Sequence, residues 1–162
     1  MPLIKNKQVV ADSFTLVADD AEIPGSGDVI IGLKRFLAEE AQLHARGGKV
    51  GVRIDPEDEV PEAQKALDKA DLVALSFPKF GDGRAYSKAR LFRERFGYKG
   101  ELRAVGEVLA DQLQYMYRCG FDAFALAEGK DVAAALRAME DFTVTYQGAT
   151  DDPRPLYRRV TR

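Results

Sequence analysis

From Lys49 to Tyr146 the chain alternates short apolar runs with amphipathic helical stretches, and this rhythm limits its fold more than any other feature. Val50, Val52 and Ile54 mark a strand. Asp55, Glu57, Asp58, Glu59 and Glu62 then lead into a helix over Pro61–Ala70, where acidic residues suit the positive end of the helix dipole. Leu72–Phe77 reads as a strand, Pro78–Ala85 as a polar loop, and Tyr86–Phe96 as a helix with Ala89, Phe92 and Phe96 inward. Strands over Leu102–Val105 and Asp122–Leu126 flank a helix over Val108–Cys119, which Gly120 ends. A helix over Asp131–Phe142 and a last strand over Thr143–Tyr146 complete the series. Strands separated by single helices pair in parallel through right-handed crossovers. The expected fold is therefore α/β, with a mostly parallel sheet of about five βα units. A full eight-unit barrel needs roughly 200 residues or more, so an open sheet or a partial barrel is expected.

The first third is less regular. Val9, Val10, Phe14, Leu16 and Val17 suggest one or two short strands or a hairpin. Asp19-Asp20 and Pro24-Gly25-Ser26-Gly27 read as loop, and a helix is expected over Leu33–Arg46, stopped by Gly47-Gly48. The 162 residues thus form one domain, with an irregular part over 1–48, regular units over 49–146 and a loose tail over 147–162.

Composition removes several function classes. A net charge of −2 gives no global field for nucleic acid or membrane binding. No apolar run approaches the roughly 20 residues of a membrane span, and Met1–Lys5 lacks the apolar core of a signal peptide. With a single cysteine, Cys119, no intrachain disulfide forms, and a cytoplasmic location is expected. Cys119 and the sole histidine, His44, cannot supply a four-thiolate cluster or a Cys/His zinc site, and no ligand spacing points to the carboxylate-only Mg²⁺ site that stays open, so no metal is expected. No dinucleotide fingerprint follows Gly25-x-Gly27, and no cofactor is detected.

Parallel α/β folds gather ligands at the carboxyl ends of strands. The richest such end is Phe77–Ser87. Lys79 and Arg84 flank Gly81-Asp82-Gly83, and the following helix offers free amides near Ser87. Lys79, Gly81, Asp82, Gly83, Arg84 and Ser87 are thus candidates for binding a small oxyanion; the other reading is a capped turn in which Asp82 pairs with Arg84. Charge is uneven as well. Eight Lys/Arg face three Asp/Glu between Lys79 and Arg103, against nine and fourteen over residues 1–78. Arg90, Arg93, Arg95 and Lys99 are candidates for contacting an acidic partner; the alternative is a solvated helix face with an Arg90–Glu94 pair. Asp111, Tyr115 and Arg118 share one helical face and form a second candidate surface or a local pair. Cys119 has no nearby base to activate it and is expected to be a small buried residue. His44 is expected on an exposed helix position.

The string Phe77-Pro-Lys-Phe-Gly-Asp-Gly-Arg-Ala-Tyr-Ser87 belongs with Ala89-Arg90-Leu91, Arg93-Glu94-Arg95 and Gly97–Gly106. With Asp111-Gln112-Leu113 and Arg118–Phe124, these strings resemble the bacterial domain-of-unknown-function family 934. The resemblance runs from about Gly51 to Leu126. Members carry the label of an oxidoreductase involved in sulfite reduction, beside genes of sulfate assimilation. The resemblance implies a pathway, with a component of the sulfite reductase system as partner, and carries over no catalytic residue. This sequence departs from the family pattern at Ser76, where an acidic residue is expected, and at Glu107, where Asp is expected. The known six-electron reductases use an iron–sulfur cluster coupled to haem, whose ligands this chain lacks. Two roles follow: an accessory protein of sulfite reduction, or a small α/β enzyme acting on a small anionic substrate.

Overall fold

In the computed structural model, which describes residues 2–159, the strands form one eight-stranded sheet, mostly parallel and curled into a half-barrel. The strands are β1 (Leu3–Lys5), β2 (Gln8–Val10), β3 (Phe14–Leu16), β4 (Asp28–Gly32), β5 (Val50–Ile54), β6 (Leu72–Phe77), β7 (Glu101–Gly106) and β8 (Ala123–Ala125). Their spatial order is β2-β1-β8-β7-β6-β5-β4-β3. From β3 to β8 every strand pairs in parallel with the next in sequence. The four strands expected near 50–54, 72–77, 101–105 and 122–126 are therefore consecutive parallel neighbours. The helices α1 (Leu33–Ala38), α2 (Glu40–Ala45), α3 (Val60–Leu67), α4 (Arg84–Glu94) and α5 (Leu113–Cys119) lie in the crossovers. Two more, α6 (Val132–Ala138) and α7 (Leu156–Arg159), follow β8. No described helix is long and apolar enough to cross a membrane.

The N-terminal part departs from expectation in physically clear ways. The hairpin joins β1 to β2 through Asn6 and Lys7, both with positive φ (51° and 61°), the turn geometry that matches strand twist. The expected segment Val9–Val17 instead splits between the two edges of the sheet. Asp28–Gly32, which lies between the expected loop and the expected helix and is part of neither expectation, is a buried parallel strand. The single helix over Leu33–Arg46 breaks at Glu39, whose backbone leaves the helical region and whose carboxylate accepts from Arg35 at 2.9 Å. The last expected strand, Thr143–Tyr146, is irregular. The edge of β8 that it would join is already taken by β1, antiparallel, with Leu3 opposite Ala125.

The curl follows from chain length. Laid flat, eight strands would span about 34 Å at ~4.8 Å per neighbour. The two edges, β2 and β3, are joined only by Ala11-Asp12-Ser13. Four Cα steps reach at most about 15 Å, so the edges must lie close together. Because β1 is antiparallel to both β2 and β8, β2 and β3 run in the same direction. One bent stretch, Gln8–Leu16, therefore serves both edges of the sheet.

One face of the sheet packs against helices through Phe36, Leu75, Phe77, Phe92, Leu102 and Phe124. The other face is lined by strand residues alone: Leu3, Ile30, Leu72, Ala74, Val105, Ala123 and Ala125. Curling brings these residues against one another and against Val10 and Phe14. Arg103 points into this face, is 2% exposed, and bonds Asp12 at 2.9 Å across the curl.

Candidate functional site

The carboxyl ends of β5, β6 and β7 meet at one mouth of the half-barrel. After β6, the Lys79 carbonyl accepts from Asp82 N–H at 3.0 Å and closes a turn. Asp82 accepts from the Arg84 amide at 3.2 Å and from its guanidinium at 3.0 and 2.6 Å. The same guanidinium reaches Glu57 at 2.8 Å. Arg84, the main cation of the expected oxyanion loop, is thus shared by two carboxylates. Lys79 and Ser87 are exposed. Gly83 has φ −89° and Gly81 faces open space, so nothing in the fold requires glycine at either position.

The Arg84 guanidinium holds the Asp82 carboxyl down at about 2. A depressed folded-state value means that the pair's contribution is present above the usual carboxylate range and lost as pH falls through about 2. Carbon-detected NMR should find Asp82 titrating near that pH, and Arg84→Ala should return it to about 4. An unchanged midpoint in the variant would contradict the pairing.

Three anchors around this loop have little signature in the sequence. The Glu107 carboxylate accepts from Phe80 N–H at 2.8 Å, and its own amide donates to the Phe77 carbonyl at 2.8 Å. Gly106 makes that approach possible, since at φ 96° a Cβ would sit 2.5 Å from the Phe77 carbonyl oxygen. Lys88, 8% exposed, donates to the carbonyls of Asp55, Pro56 and Asp58 at 2.7, 3.0 and 2.7 Å. Burial lowers its pKa. Its ammonium pins the turn after β5.

The concave feature at this mouth lies beside β5 rather than β6. A cleft of about 600 Å³ is lined by Gly32, Lys34, Arg35, Arg53, Asp55 and Asp58, among others. Arg53 donates to both oxygens of Asp55 (3.1 and 3.0 Å) and of Asp19 (3.2 and 3.0 Å). The cleft offers fixed charged groups for orienting a polar ligand, but its lining contains no serine, cysteine or histidine nucleophile. Among the described residues no group of three or more His, Cys, Asp or Glu is arranged to hold a metal ion. Arg53 is not among the residues that the sequence reading singles out; the signal that could have found it is a charged residue within an otherwise apolar strand, Val50-Gly-Val-Arg53-Ile54.

The basic segment divides. Arg90 pairs with Glu94 at 2.8 Å on the surface. Arg95 and Lys99 are exposed, and among the described residues neither forms an ion pair. Arg93 is not a surface residue. Its side chain is only 13% exposed, pairs with Asp122 at 3.1 Å, and donates to the carbonyls of Gly120, Tyr98 and Gly100. The second candidate face divides too. Asp111 and Tyr115 are exposed, with Tyr115 against Tyr86 at 5.2 Å, but Arg118 turns to the C-terminal segment, reaching the Gln147 carbonyl and Asp151. The Arg118 carbonyl accepts from Thr150 N–H at 3.1 Å. Cys119 is buried, and burial raises its thiol pKa, as suits an unreactive cysteine. His44 is exposed.

A family model described as "Bacterial protein of unknown function (DUF934)" matches residues 51–157. The chain belongs to this family. No curated protein matches it. The DUF934 match takes in β5 to β8, the Phe77–Ser87 loop, α4 and the C-terminal segment as far as residue 157. The strands β1 to β4 lie outside it, as do Asp19 and Gly32. In this DUF934 chain the Arg53 cleft thus draws four of its ten lining residues from the matched part and six from the residues before it.

Proposed function

We propose that this protein is an accessory component of bacterial sulfite reduction that acts by contact with the reductase system. The pathway comes from the label carried by the family that its sequence resembles. The observation that favours contact over catalysis is Arg84. At the strand end best supplied with candidate groups, its charge is spent on Asp82 and Glu57. An oxyanion there would have to displace Asp82. One cysteine and one histidine also leave the chain without ligands for the redox centres of known sulfite reductases.

The contact surface of this reading is the exposed end of α4 with the turn after it, chiefly Arg95 and Lys99, with Arg90 at its rim. A pull-down with the haem subunit of sulfite reductase tests it. Retention is expected at low salt and should fall as salt rises, since screening shortens to roughly 3 Å at 1 M. Arg95→Glu with Lys99→Glu should weaken retention while leaving the fold intact, because exposed charges contribute little to stability. No retention at low salt would reject the contact; retention indifferent to salt and to both substitutions would reject this face. The second reading, a small enzyme acting on an anionic substrate, is favoured by the cleft at the strand ends, with Arg53 as the orienting group.

A further inference from the structure

The stretch Phe142-Thr143-Val144-Thr145-Tyr146 has the strict alternation of a half-buried strand, yet Phe142, Val144 and Tyr146 are 66%, 63% and 65% exposed. Tyr157 beside them is 66% exposed. The segment is anchored to the body, with the Tyr146 carbonyl accepting from Leu156 N–H at 2.9 Å and the Thr145 carbonyl accepting from Arg159. Large apolar side chains held in water along one short segment mark an interaction surface. β1 already occupies the edge of β8 that this segment was expected to join.

We infer that this segment is the self-association face of the protein, covered by a second copy of the same chain. Two features select that occupant. First, the sequence is nearly palindromic about Val144: aromatic, threonine, valine, threonine, aromatic. Extended against a second copy, the now irregular segment gains a two-fold axis at Val144 that sets valine on valine and Phe142 on Tyr146, which is the self-complementarity that a two-fold interface requires. Second, the ends carry opposite charge. Exposed Glu140 and Asp141 precede the apolar stretch, and exposed Arg158 stands beside its far end on α7. Among the described residues neither Glu140, Asp141 nor Arg158 forms an ion pair. The same two-fold axis brings the acidic end of each copy to the basic end of the other.

Sedimentation velocity over a concentration series tests the inference, with circular dichroism confirming that each variant is folded. The wild type should sediment as a dimer at tens of micromolar. Val144→Lys places two like charges on the axis and should weaken dimerisation by about tenfold or more. Asp141→Arg should also weaken it, and adding Arg158→Asp should restore it. Val144→Cys should cross-link under mild oxidation, since Cys119 is buried. A wild type that stays monomeric overturns the inference, as does a dimer unaffected by Val144→Lys or a charge swap that fails to restore.

Discussion

Replacing Arg93 by alanine is expected to destabilise the fold by about 3 kcal/mol, the low end of the cost of breaking a buried ion pair from one side, since Asp122 is only partly buried. In a chain of this size that lowers the thermal midpoint by roughly 10 °C. The arginine leaves α4, lies against Gly120 and reaches four partners on two segments, 98–100 and 120–122. Its Nε donates to the Gly120 carbonyl at 2.9 Å, Nη1 to the carbonyls of Tyr98 and Gly100 at 2.8 Å each, and Nη2 to Asp122 at 3.1 Å. Its guanidinium also lies over the Tyr98 ring, 5.4 Å from the centroid. Gly120 accommodates the stem, because a Cβ there would stand 2.6 Å from Arg93 Cγ. Without the arginine, three carbonyls lose their donor and Asp122 keeps a half-buried charge. Burial already pushes the Asp122 carboxyl above its ordinary value, against the Leu102 amide and Arg93, which favour the charged form. A carboxyl whose folded pKa lies above the unfolded one gains stability on protonation. The deficit of Arg93→Ala should therefore shrink as pH falls through the carboxylate range. Urea unfolding at neutral and acidic pH checks both statements. Arg90→Ala, which breaks only a surface pair, should stay within about 1 kcal/mol of wild type. Equal effects of the two substitutions would contradict this account.

Arg103→Ala should cost a comparable amount, about 3–5 kcal/mol, but in a different place. Arg103 projects from β7 into the strand-lined face, bonds Asp12 at 2.9 Å and Glu101 at 2.8 Å, and lies 5.3 Å from the Phe14 ring centroid. Glu101 in turn holds Lys5 at 2.6 Å. One guanidinium thereby ties the middle of the sheet to β1 and to the stretch that bridges the two edges. Glu101 keeps Lys5 when Arg103 is lost, whereas Asp12 keeps no ion partner among the described residues. Hydrogen exchange should show the loss as faster exchange in β1 to β3, with β5 and β6 less affected. Asp12→Asn in the Arg103→Ala background should add much less than it does alone, the mark of a direct coupling. Uniform acceleration across all strands would argue against a local tie.

The two arginines show what the sequence disclosed and what it concealed. The βα rhythm after Lys49 was legible because each strand is buried on both faces and each helix on one, so hydrophobic period alone separates them. The strand Asp28–Gly32 was hidden by its neighbours: five residues beside a Pro-Gly-Ser-Gly loop and running directly into a helix present no boundary. Thr143–Tyr146 has the strand pattern without the strand, because pattern records what a segment could pair with, not whether an edge is vacant. At the candidate site, the Gly-Asp-Gly-Arg loop stood out by composition; Asp82 and Arg84 pair with each other, while the cap position of α4 is Gly83 rather than Asp82. Arg93 and Arg118 have the same charge as Arg95, so composition could not tell an internal anchor from a surface group. Lys88 was concealed more completely, since three backbone carbonyls leave no trace in side-chain identity.

The pairing of β1 with β8 also fixes an order of events during synthesis. Leu3–Lys5 leaves the ribosome long before Ala123–Ala125, its antiparallel partner. At the usual rate of about 5–20 residues per second, the delay is roughly ten seconds. Through that interval the β1–β2 hairpin has one unsatisfied edge, and a lone two-stranded hairpin is only marginally stable in water. The parallel strands can accrete in the order in which they emerge, each on its predecessor, while β1, made before all of them, is among the last to find its place. The nascent chain therefore carries an unpaired edge, open to a chaperone or to a neighbouring nascent chain, until Phe124 has been added.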